Sequence, residues 1–179
     1  MRRRGFAFGR QTNPNMPPAL KQAFELMELG NYAQAAQIFE QLAIAAENRM
    51  GPRAPFLFIQ AGRALIQLNE NEKGTAHIRH GLELLANSGR FPQFYRAGNR
   101  VVQELKMRGL ENEALEISKM FGGQGPASVE SPTRHRPDAV AKLPSHCPAC
   151  GGPLRSDEAD WIDPFNAECP YCGSPIRAD

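Results

Sequence analysis

The chain has 179 residues, of which 41% are hydrophobic and 22% charged, and its formal net charge is +2. That is the profile of an ordinary soluble protein, long enough for one good core and a small accessory module. No apolar run approaches the ~18 residues that a membrane span requires.

Residues 1–16, "MRRRGFAFGRQTNPNM", carry four arginines and no acid. They show neither helical nor strand period and read as a flexible basic arm. The apolar stretch after the arginines, "GFAFG", is too short for the core of a signal peptide. Without an export signal the expected compartment is a reducing cytoplasm, where paired cysteines are more often metal ligands or redox groups than structural disulfides.

Residues 17–121 carry a helical pattern with a loose internal repeat. Gly30 ends one helix, Tyr32 opens the next, and Ala35 and Phe39 fall four apart on one face. About 39 residues on, Gly62, Asn69, Asn71, Gly74, Ile78 and Gly81 occupy the matching places, and Gly109 and Ala114 follow after about 40 more. Gly30, Asn69 and Gly109 suit the left-handed backbone that ends a helix. Small residues at the crossings let two helices approach closely. Pro17, Pro18, Pro55 and Pro92 suit the first turn of a helix. Six helices are predicted, near 17–29, 32–47, 54–69, 71–86, 92–108 and 110–121.

The stretch "AFELMELGNYAQAAQIFEQL", residues 23–42, resembles a tetratricopeptide repeat, whose small, Gly, aromatic, Ala and aromatic positions are matched by Ala23, Gly30, Tyr32, Ala35 and Phe39. The second repeat keeps the small positions and the third little beyond Gly109 and Ala114. The spacings exceed the usual ~34 residues. An unrelated antiparallel helical bundle is the alternative. The resemblance implies stacked hairpins whose first helices line a concave face. Mapped from the first repeat, that face carries Leu20, Phe24 and Met27, then Ile59, Arg63 and Ile66, then Arg96, Asn99, Gln103 and Lys106. Arg63, Arg96, Asn99, Gln103 and Lys106 become candidate partner-binding residues, suited to an acidic peptide. A solvated basic helix face is the plainer account of the same arginines.

Residues 122–145, "GGQGPASVESPTRHRPDAVAKLPS", are rich in Gly, Pro and Ser and read as a disordered linker. Residues 146–179 form a cysteine module that holds all four cysteines of the chain. Cys147 and Cys150 make one C-x-x-C, and Cys169 and Cys172 make another. Two such pairs supply four thiolates in a tetrahedron, the donor set of a structural Zn²⁺. Gly151 and Gly173 relieve the tight turns at the sulfurs, while Pro148 and Pro170 stiffen them.

This module resembles a bacterial zinc ribbon of the form CPxCGxPL…CPYCGSxI. The resemblance implies one structural zinc on the four cysteines, with short strands leaving each knuckle at Pro153–Leu154 and Pro175–Ile176. Trp161, Ile162 and Phe165 would supply a minimal apolar cap. Rubredoxins share paired C-x-x-C-G knuckles, so iron is the alternative metal. His146 adjoins Cys147 but is read as a linker residue. His77, His80 and His135 lack metal-ligand spacing. Asp157, Glu158 and Asp160 read as a solvated turn. A full set of four cysteines leaves no open position for a catalytic water, and no phosphate loop, nucleophile elbow or readable cysteine–histidine pair is present.

Charge is unevenly placed. From Cys147 onward there are two basic and six acidic residues, whereas residues 73–108 carry seven Lys or Arg against two Glu. An acidic ribbon repels phosphate backbones. The sequence is therefore read as mainly α, about six helices in tetratricopeptide-like hairpins followed by a small β zinc ribbon, and as a non-enzymatic cytoplasmic adaptor that binds a protein or peptide. The alternative is a nucleic-acid-associated protein using the basic arm and basic helical face. A third reading lets the acidic ribbon fold back onto the basic groove and occlude it.

Overall fold

The computed structural model describes residues 17–122, 142–148, 152, 154–156, 159–169 and 175–178. The expected basic arm at 1–16 and most of the expected linker lie outside these residues. So do Cys150, Cys172, His135, Asp157 and Glu158.

Six helices lead the chain: α1 Pro18–Glu28, α2 Tyr32–Glu47, α3 Ala54–Gln67, α4 Asn71–Asn87, α5 Phe91–Met107 and α6 Glu111–Lys119. They match the six predicted segments, with ends that differ by no more than a turn. Within each hairpin the turn is built the same way. The Gly30 N–H donates to the Met27 carbonyl at 3.2 Å and the Asn31 N–H to the Leu26 carbonyl at 2.8 Å. Asn69 with Glu70, and Gly109 with Leu110, repeat this pair of bonds after α3 and α5. The geometry needs a left-handed residue at the first of each pair, and φ is 76° at Gly30, 62° at Asn69 and 74° at Gly109. Two otherwise orphaned carbonyls at each helix end are thereby satisfied.

α3 is the central helix, packed against both α2 and α4 and buried from Ala54 through Gly62. Its contact with α4 is set by glycine. A Cβ added at Gly62 would lie 2.5 Å from the Gly74 carbonyl oxygen, and one at Gly81 would lie 2.5 Å from the Pro55 carbonyl oxygen. The backbones touch where the sequence puts its small residues. Leu20, Ala23, Ala35, Phe39, Phe58 and Ala61 form one apolar cluster among α1, α2 and α3. Phe24 meets Phe39 edge to face at 5.2 Å.

A second apolar cluster runs through α3, α4, α5 and α6, from Ile59 and Ile78 to Leu105 and Ile117. It continues without a break into the cysteine module, where Leu143, Cys147, Leu154, Ala167, Cys169 and Ile176 belong to it. Leu143 is 8% exposed, and the Leu154 N–H donates to the Ser145 carbonyl at 2.9 Å. The folded module thus includes residues 142–145, which the composition had assigned to the linker.

The module holds a three-stranded antiparallel sheet in the order β1–β2–β3, with β1 Asp160–Asp163, β2 Asn166–Glu168 and β3 Pro175–Arg177. Ala167 lies opposite Trp161 on one side and Ile176 on the other. Asp163 closes the β1–β2 turn by accepting from the Phe165 and Asn166 N–H groups, each at 2.8 Å. Hydrogen bonds from the Asn166 side chain and then the Phe165 backbone hold the Asp163 carboxyl below its ordinary range. The expected cap is revised here. Trp161 packs against the apolar cluster as expected, but Phe165 sits at the hairpin tip, 65% exposed, because the turn directs it outward, and Leu143, Leu154, Ala167 and Ile176 supply the buried apolar surface. A strand begins at Pro175 as expected, while Leu154 lies outside the sheet. Among the described residues no helix is long and apolar enough to cross a membrane.

Candidate functional site

The first helices of the three hairpins, α1, α3 and α5, converge on a groove with a cavity of about 260 Å³. α3 contributes Gln60, Arg63, Ile66 and Gln67, which share one face at a spacing of three and four. α5 contributes Val101, Glu104, Leu105 and Arg108 by the same rule. Met27 reaches in from the end of α1, and Ile78 of α4 forms part of the floor, fully buried.

Charge inside the groove is partly neutralised. Arg63 Nη2 donates to Glu104 Oε1 at 2.8 Å, linking the α3 and α5 walls. Arg63 Nε is buried without a hydrogen-bond partner. Gln60 is 5% exposed and forms no side-chain hydrogen bond among the described residues. Arg108 is exposed and carries no ion pair among the described residues.

Of the five candidate partner-binding residues, the structure places Arg63 in the groove and the other four elsewhere. Asn99, Gln103 and Lys106 follow one stripe of α5, and Val101, Glu104, Leu105 and Arg108 follow the stripe on the other side. At 100° per residue the two stripes are centred about half a turn apart. Arg96 points to the cysteine module and donates from Nη1 to Glu168 Oε2. Counting from turn to turn, Gly30 to Asn69 to Gly109, carries the face of α1 onto a stripe of α5 that does not line this cavity. α5 turns its own apolar stripe inward: Val101 and Leu105 are each 1% exposed. That stripe was the available signal, and it would have directed attention to Glu104 and Arg108. Gln60 carries no such signal, since a polar residue in a buried helix becomes visible only once burial is known.

The basic stretch at 73–108 is substantially paired. Lys73 donates to Glu70 at 2.8 Å, Arg79 to Glu116 at 2.6 Å and Arg96 to Glu168. Arg90 donates to the Pro52 carbonyl at 2.7 Å and lies over the Phe56 ring. His77 and His80 face α2, at 3.4 Å from Glu40 and 3.0 Å from Glu47. Both also pack on the Phe58 ring.

In the cysteine module Cys147 and Cys169, the leading residues of the two pairs, are 0% and 2% exposed. The Cys147 N–H donates to the Gly152 carbonyl at 2.8 Å, so the chain turns back on itself after the first pair. Cys169 directly follows β2. Two thiols buried in an apolar cluster suit thiolate ligation of a soft or borderline cation, which compensates the buried charge. His146 is half-buried, with Nδ1 3.1 Å from Ser145 Oγ. Compared with protein-family models, with curated proteins and with solved structures, the chain matches none of them.

Proposed function

We propose that the protein is a non-enzymatic adaptor. Its helical part is read as a tetratricopeptide-like stack that binds a protein or peptide along its inner wall, and its cysteine module as a zinc ribbon offering a second contact. The observation that carries this reading is the groove itself: α1, α3 and α5, the leading helices of the three hairpins, line it together with Ile78 of α4. Cys147, Cys150, Cys169 and Cys172 would hold one Zn²⁺ whose role is structural, since four thiolates fill a tetrahedral site. The nucleic-acid alternative loses support from the pairing of Lys73, Arg79 and Arg96 with acids, which leaves less free positive charge for phosphates.

A photo-crosslinking residue at Gln67, which lines the groove, tests the reading against one at Glu83 on the exposed side of α4. Crosslinks to protein are expected from Gln67, undiminished by nuclease, and few from Glu83. Crosslinks to nucleic acid, or equal capture from both positions, would reject it.

A further inference from the structure

Resting on that adaptor reading, we infer that the groove takes an extended peptide segment in which a carboxylate lies next to an aliphatic side chain. Gln60 would pair with the peptide backbone and Arg108 with the acid.

Hydrogen-bonding groups of α3 face the cavity. Gln60 is 5% exposed, lines the cavity and has no side-chain hydrogen bond among the described residues. A primary amide offers two donors and an acceptor, and at Gln60 it belongs to a residue that lines the cavity. A peptide unit is the ligand chemistry that meets an amide on equal terms, accepting from its N–H₂ and donating to its carbonyl. Arg63 Nε, one turn along the same face of α3, is buried without a hydrogen-bond partner, and a buried polar group left without partners is costly.

The sign of the ligand follows from what is already neutralised. Arg63 is held by Glu104, so its charge is spoken for. Arg108 lines the same cavity, is exposed, and has no ion pair among the described residues. The groove therefore carries one positive charge in excess, located at the C-terminal end of α5, where a ligand carboxylate gains a charge-assisted hydrogen bond. The rest of the lining is apolar at Met27, Ile66, Ile78, Val101 and Leu105 and carries one further amide at Gln67. A cavity of about 260 Å³ is below the usual size of a drug-like ligand site, roughly 300–1,000 Å³. It matches an aliphatic side chain with its adjoining backbone.

The test uses the full chain and short synthetic peptides in which one glutamate lies near a leucine or valine. Counterparts replace the glutamate by glutamine or lysine, or the aliphatic residue by serine. The glutamate–aliphatic peptides are expected to bind, and each replacement to weaken binding by about tenfold or more, as loss of a charge-assisted contact implies. Arg108→Glu should cause the same loss with helix content unchanged by circular dichroism, and Gln60→Leu should weaken binding of every peptide in the set. Equal binding of the glutamine or lysine counterparts, or indifference to Arg108→Glu, overturns the proposal. If no peptide binds while Gln67 still crosslinks to a protein, this ligand class is wrong and the adaptor reading stands. If Gln67 captures nothing either, the failure lies in the adaptor reading.

Discussion

At Gly62 the chain has no room for a side chain. A Cβ there would also lie 2.6 Å from Ile78 Cγ1, and its reciprocal neighbour Gly74 would meet Ile66 Cγ1 at the same distance. Alanine ordinarily favours a helix over glycine by about 1 kcal/mol. Overpacking of a close crossing typically costs about 1–3 kcal/mol, and here the obstacle is backbone that cannot turn aside. Gly62→Ala is therefore expected to lower stability by ~1–2 kcal/mol net, read as a lower denaturant midpoint with unchanged slope. An unchanged or raised midpoint would mean that α3 and α4 do not cross this closely. The residues that carried such information were legible in the sequence because each has a single physical use. Gly30, Asn69 and Gly109 allow positive φ, and Gly62, Gly74 and Gly81 allow contact. Met50 was not legible: it adopts φ 50° while 94% exposed, and nothing in its chemistry announces a left-handed turn.

Helices were easier to read than the faces they present. Proline starts and glycine or asparagine stops marked the segments, but the inward face of α5 follows its own apolar stripe at Val101 and Leu105 rather than the count from turn to turn. The ribbon shows the same limit at smaller size. Its strands are three or four residues long, and both the outward Phe165 and the buried Leu143 lie outside them, where alternation says nothing. What the cysteine module did announce is a possible donor set, Cys147, Cys150, Cys169 and Cys172, and on the proposed reading these hold zinc. Structural zinc contributes roughly 10–16 kcal/mol of folding free energy in comparable peptides. Elemental analysis should give about one zinc per chain. On chelation, or in Cys169→Ser, amide exchange protection should vanish from β1, β2 and β3 and weaken at the α5–α6 end, whose apolar cluster includes Cys147 and Cys169. Protection in α2 should persist, because Phe39 and its neighbours form a separate cluster. Protein kept reduced throughout preparation and yet free of zinc would rule the site out.

Across the whole molecule the two parts meet differently from a purely electrostatic expectation. The cysteine module has an acidic excess and residues 73–108 a basic one, which alone would bring them together weakly and let salt part them. The contact instead combines the Arg96–Glu168 pair with an apolar cluster continuous from Ile59 to Ile176. Apolar burial is not screened by salt, and a partly buried ion pair is screened less than an exposed one. The pair's side chains are 37% and 21% exposed, so it is worth about 1 kcal/mol at most on the scale of surface pairs. The contact also leaves the groove open, since Arg96 lies on a different sector of α5 from the residues that line the cavity. Docking and partner binding are then compatible, contrary to a ribbon that occludes the groove. Arg96→Glu places two carboxylates together and should loosen the contact, while Arg96→Glu combined with Glu168→Arg should restore it. NMR relaxation gives the measure: shared tumbling in the wild type that survives high salt, faster ribbon tumbling in the single variant, and recovery in the double. Zinc content must stay constant across the set, because Glu168 adjoins Cys169. Independent tumbling of the wild-type ribbon at every ionic strength would remove the interface altogether. Separation by salt alone would reduce it to the charge pair.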